Sequence, residues 1–133
     1  MSTEERPADT TRLLVIDDEE PILFAFKEYF SAFGYAVDCA REVEEAEALL
    51  AHVRYEVVIA DLRLTGVQGT EGLSIVRYAQ ERCPWARVIV LTAYGSPEIE
   101  NEAYRLGADG FLHKPVPLPD VAQIVFGLVG ERA

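Results

Sequence analysis

Hydrophobic and polar positions in this chain fall into two alternating kinds of segment. Short apolar runs stand at Arg12-Leu-Leu-Val-Ile16, Tyr35–Ala40, Glu56–Leu62, Arg87-Val-Ile-Val-Leu91 and Asp109–His113. Each has strand length, and the continuous ones suit strands buried on both faces of a parallel sheet. Between them, apolar residues recur at spacings of three and four, the period of an amphipathic helix. Leu23, Phe26, Phe30 and Phe33 mark the first helix, with Pro21 in its opening turn and Gly34 as its stop. Val43, Ala46, Leu50 and Val53 mark the second, and Leu73, Val76 and Ala79 a third that Pro84 closes. Ile99, Ala103 and Leu106 form the stripe of a fourth, opened by Ser96-Pro97 and ended by Gly107; Val121, Ile124, Val125 and Leu128 form that of a fifth. Five strand-then-helix repeats predict an α/β fold, a parallel sheet with helices on both faces and right-handed crossovers.

Composition narrows what such a fold can do. The chain has 133 residues, half of them apolar, enough for one ordinary core. No internal repeat is visible. A net charge of −11 opposes direct binding to nucleic acid or to an anionic membrane surface. No apolar stretch reaches the ~18 residues of a membrane span, and residues 1–11 form a polar leader without the apolar centre of a signal peptide. A soluble, cytoplasmic protein is expected, with a disordered leader over 1–11 and one domain over 12–133. Cys39 and Cys83 lack metal or redox spacing and read as ordinary reduced thiols. The exposed face of the second helix carries Glu42, Glu44, Glu45 and Glu47, a solvated surface.

Chemistry concentrates where strands end. In open parallel sheets ligands bind beyond the carboxyl ends of the strands. Here the first strand ends in Asp17-Asp18-Glu19-Glu20, the third in Asp61, the fourth in Thr92, and the fifth in Lys114, one of only two lysines. Like charges brought together on neighbouring strands require a cation. Carboxylates are hard oxygen ligands suited to Mg²⁺, while lysine and threonine offer a positive charge and a hydroxyl to phosphoryl oxygens. Asp61 is then a candidate nucleophile that forms an acyl phosphate.

These residues carry a family resemblance. Leu-Leu-Val-Ile-Asp17-Asp18-Glu, Val-Val-Ile-Ala-Asp61-Leu-Arg, Val-Ile-Val-Leu-Thr92-Ala and Gly-Phe111-Leu-His-Lys114-Pro115 together resemble the receiver (REC, CheY-like) domain of two-component response regulators, over about Arg12 to Gly130. The resemblance implies a doubly wound, flavodoxin-like (βα)5 sheet of order 2-1-3-4-5. It implies that Asp61 is the phosphoacceptor, and that Asp17, Asp18, Asp61 and the backbone carbonyl of Arg63 hold Mg²⁺. Thr92 takes the part of the switch hydroxyl, Lys114 that of the phosphate-contacting lysine, and Phe111 that of the mobile aromatic. The peptide bond before Pro115 is expected to be cis. The implied partner is a histidine kinase or histidine phosphotransfer protein, with signalling through the surface of the fourth helix, fifth strand and fifth helix, which also serves homodimerisation. The domain would catalyse only its own Mg²⁺-dependent phosphorylation and dephosphorylation.

The sequence departs from the family pattern in the connector after Asp61. Thr65 stands where a proline is usual, and Gly72-Leu73 arrives about three residues late. Arg63 and Tyr94 occupy positions that vary phosphoryl lifetime, and their bulk is expected to slow autodephosphorylation. No effector segment follows residue 133 in the sequence, which leaves a stand-alone or an excised receiver. Phe126 falls off the last apolar stripe and is read as an exposed aromatic on a partner face. Two alternatives stay open: a degenerate receiver that binds partners without phosphorylation, and a haloacid-dehalogenase-like phosphohydrolase. The latter wants a second Asp where Arg63 stands.

Overall fold

A computed structural model describes residues 10–61, 73–93 and 95–130. The expected leader over 1–11 falls almost wholly outside them, as do the connector after Asp61, Arg63 and Tyr94. Five strands alternate with five helices: β1 (Arg12–Ile16), α1 (Glu20–Ser31), β2 (Ala36–Ala40), α2 (Val43–His52), β3 (Val57–Asp61), α3 (Ser74–Arg82), β4 (Arg87–Thr92), α4 (Pro97–Leu106), β5 (Gly110–His113) and α5 (Leu118–Gly130). The sheet is parallel throughout, in the order β2-β1-β3-β4-β5. The chain therefore reverses direction of winding after β2, and the ends of β1 and β3 meet at the switch point where ligands of such sheets bind.

Register fixes what reaches that point. Leu13 pairs with Val57, and Asp61 with Leu91, while Thr92 lies opposite His113. Because side chains alternate across a strand, each strand contributes to two cores. Leu13, Val15, Val57, Ile59, Ile89 and Leu91 face α1 and α5, where Leu23, Phe26, Phe30, Val121 and Val125 cover them. Leu14, Ile16, Val58, Ala60, Val88, Val90 and Phe111 face α2, α3 and α4. The β3 run is buried along its whole length, which is why it reads as an unbroken apolar stretch ending in one carboxylate.

Helix ends follow their residues. Ser96 Oγ accepts from the Ile99 N–H at 3.2 Å and caps α4, with Pro97 just inside. Gly107 ends α4 with φ +118°, a left-handed conformation that an L side chain rarely adopts. Phe33 lies beyond the end of α1 and is 52 % exposed, whereas Leu23, Phe26 and Phe30 are buried. The reading of Phe126 as an exposed aromatic is corrected by its neighbours: the half-buried ring lies 5.1 Å from Phe33, 6.0 Å from Tyr35 and 6.5 Å from Phe30. It closes one end of the α1–α5 core, and its off-stripe position reflects contact with Phe33 and Tyr35 in the segment after α1. Cys39 and Cys83 are free thiols, and no helix among the described residues is long and apolar enough to cross a membrane.

A Cβ at Gly107 would lie 2.7 Å from Gln80 Oε1, and the left-handed backbone adds strain whatever the space. Gly107→Ala is expected to lower stability by ~1–2 kcal/mol, read as a shift in urea midpoint at unchanged slope. An unchanged midpoint would contradict this account of the α4 stop.

Candidate functional site

Asp17 and Asp61 leave the sheet on adjacent strands, and their carboxylates are nearly buried, 3 % and 9 % exposed as residues. Lys114, at the end of β5, reaches across to them. Its Nζ forms an ion pair with Asp61 Oδ2 and lies 3.9 Å from Asp17 Oδ2. These two oxygens, Asp17 Oδ2 and Asp61 Oδ2, accept no geometrically sound hydrogen bond. Asp61 Oδ2 is held in the Lys114 ion pair, with Asp17 Oδ2 close by. The other oxygen of Asp17 is satisfied: the Glu19 N–H donates to Oδ1 at 2.8 Å, an Asx-type turn that leads into α1. This anchor was not singled out in the sequence, although an aspartate two residues before the acidic start of a helix is its signal.

The other residues named from the sequence are placed as follows. Asp18 is exposed, beside the buried pair rather than within it. Thr92 is fully buried at the end of β4, and its carbonyl accepts the Lys114 N–H at 2.9 Å, so the backbone joins these two strand ends directly. Phe111 is buried on the opposite face of the sheet from the α1–α5 core. The Lys114–Pro115 peptide is cis. Among the described residues no three carboxylate, imidazole or thiolate groups converge as a ready metal cage. Two carboxylates converge, and Arg63, whose carbonyl was expected to add a ligand, lies outside the described residues.

Two buried carboxyl groups share one ammonium, so the site is short of positive charge. The consequence falls on Asp17. Its carboxyl is pushed up to about 8, first by burial and then by the neighbouring Asp61 carboxylate, which favours a proton between the two. The Glu19 N–H and Lys114 pull in the other direction without offsetting this.

Comparisons with known proteins show the family and the fold. The family model for the response regulator receiver domain matches residues 13–126. Among curated relatives, the response regulator protein PilR of Pseudomonas aeruginosa is 34 % identical over 114 residues, covering 86 % of this chain and 25 % of that protein. The regulatory protein AtoC of Escherichia coli is 32 % identical, covering 86 % of this chain and 24 % of its own. The chain spans about a quarter of the length of these relatives. A CheY-like receiver domain from Methanospirillum hungatei superimposes with a TM-score of 0.84 at 27 % identity, covering 92 % of this chain and 96 % of that one. A response regulator from Burkholderia pseudomallei, crystallised with a phosphorylated aspartic acid, a calcium ion and citrate, superimposes with a TM-score of 0.76 at 32 % identity, covering 84 % and 64 %. The chain belongs to the response regulator receiver domains of two-component systems.

A raised carboxyl favours the folded state at acid pH and gives up that contribution as pH climbs from its ordinary value near 4 toward 8. Asp17→Asn is therefore expected to stabilise the metal-free protein at pH 8 by ~1–2 kcal/mol and to change little at pH 4. Thermal denaturation in a chelator at the two pH values checks this, and an equal gain at both would refute the charge argument.

Proposed function

We propose that this receiver domain takes a phosphoryl group onto Asp61 from the phosphohistidine of a histidine kinase or phosphotransfer protein, and passes the change to the surface of α4, β5 and α5. The observation that carries the reading is the state of Asp61: a buried carboxylate at the end of β3, ion-paired with Lys114 and beside Asp17. The phosphorylated aspartic acid in the Burkholderia pseudomallei relative supports it.

In the transfer, one Asp61 carboxylate oxygen forms a bond to phosphorus as the phosphorus–nitrogen bond of the donor breaks, and its electron pair returns to the imidazole. Positioning and charge stabilisation supply most of the acceleration in such reactions. The ammonium of Lys114 already stands at the carboxylate and is placed to follow the phosphoryl oxygens once they arrive. The Thr92 hydroxyl, on the strand end joined to Lys114, is the second group recruited. Asp17 keeps its orientation through the Glu19 N–H.

A divalent cation fits the residues present, because two buried carboxyl groups converge on one ammonium and Asp17 Oδ2 accepts no hydrogen bond. Asp17, Asp18, Asp61 and the backbone carbonyl of Arg63 would hold Mg²⁺, which neutralises the oxygens of the transferring group. A calcium ion accompanies the phosphorylated aspartate in the relative. Arg63 and Tyr94 would slow attack by water on the acyl phosphate and lengthen the signal.

Incubation with acetyl phosphate and Mg²⁺ is expected to add one phosphoryl group by intact mass. The adduct is expected to be absent from Asp61→Asn, absent in chelator, and stable for minutes or longer. Steady phosphate release without an adduct would point to a hydrolase, and neither adduct nor turnover to a receiver that works without phosphorylation.

A further inference from the structure

At the end of the sheet opposite the acidic pair, the last turns of α2 and α3 and the segments leading into β3 and β4 border a concavity of about 360 Å³. Leu50, Val53, Cys83 and Trp85 form its apolar wall, and Arg54 and Arg82 stand beside them. Leu50 and Cys83 are buried, and the Cys83 thiol donates weakly to the Leu50 carbonyl at 3.7 Å, so this wall is a fixed part of the core under α2 and α3. The two arginines are held by rings rather than by carboxylates. The Arg54 guanidinium lies 4.2 Å from the centre of the Trp85 ring, and that of Arg82 lies 4.9 Å from the centre of the Tyr78 ring. Among the described residues neither forms an ion pair. Burial raises the pKa of the Cys83 thiol and both guanidiniums pull against it, which puts the two charges over the same wall.

A basic residue in the last turn of a helix complements the helix dipole, and that accounts for Arg82 at the end of α3. It does not account for Arg54, which lies beyond α2 and is turned onto Trp85. In a chain of net charge −11, two guanidiniums left without carboxylates around one apolar concavity make a local positive spot whose complement is an anion. The volume suits a small molecule, and the planar donors of arginine suit a carboxylate or phosphate. We propose that this concavity binds a small organic anion, with an apolar or aromatic body against Leu50, Val53 and Trp85 and a carboxylate or phosphate held by Arg54 and Arg82. The length of β3 separates it from Asp61, so its occupancy is read without phosphorylation.

Trp85 is the only tryptophan, so in ¹⁵N-labelled protein its indole N–H gives one unambiguous signal at the wall of the concavity. Titrated with phenyl phosphate in the presence of a chelator, that signal is expected to shift along a saturable curve. Inorganic phosphate, which lacks the body, and benzyl alcohol, which lacks the charge, are each expected to bind about tenfold more weakly or worse. Arg82→Gln is expected to weaken phenyl phosphate about tenfold while leaving the Trp85 signal of the free protein in place, because the Arg82 guanidinium lies over Tyr78. Arg54→Gln is expected to weaken it by a similar factor, and an unchanged urea midpoint in each variant separates lost binding from lost fold. A shift that stays linear in concentration, equal affinity for phenyl phosphate and benzyl alcohol, or equal affinity in the parent and both variants would overturn the proposal. Saturable binding of an acidic peptide through the same two arginines, with no response to phenyl phosphate, would overturn the small-molecule site in favour of a protein contact.

Discussion

Two carboxylates held out of water beside a single ammonium are the constraint on which this receiver depends. Isolated, either anion would be too costly to bury. The molecule tolerates the pair because Asp17 is anchored by the Glu19 N–H, Asp61 faces Lys114, and the backbone carries both to the place where the sheet changes its winding. On the proposed reading, the imbalance that remains is the functional quantity. A site fully neutralised by its own residues would have little affinity for a cation or a phosphoryl group, and one with no lysine would repel the phosphoryl group outright.

The sheet places the acidic pair and Phe111 on opposite faces. Asp17, Asp61 and Lys114 share strand parity with the residues facing α1 and α5, while Phe111 and His113 share parity with those facing α2, α3 and α4. Thr92 belongs to the second set by register, yet its carbonyl holds the Lys114 N–H. The strand ends of β4 and β5 are thus the shortest physical route from one face to the other. One backbone hydrogen bond there links Lys114 on one face to Thr92 on the other.

Much of this was legible in the sequence because the relevant signals are local. Buried parallel strands are apolar on both faces, so Val57 to Ala60 could be nothing else, and a carboxylate or lysine directly after such a run must emerge at the sheet's end. Glycine and proline punctuation marked the stop of α4 and its start. What could not be read required knowing which elements touch. Phe33 and Phe126 looked like a core residue and a surface residue; the contact between the turn after α1 and the end of α5 makes them a pair, one outside and one half inside. Asp18 follows Asp17 in sequence but points to solvent, because successive residues diverge where a strand becomes a turn.

The two cores have a bearing on how such a domain diversifies. They share five strand backbones but almost no side-chain contacts, so substitutions on the α1–α5 side and on the α2–α3–α4 side combine nearly additively. Each side can drift in sequence while the other is held.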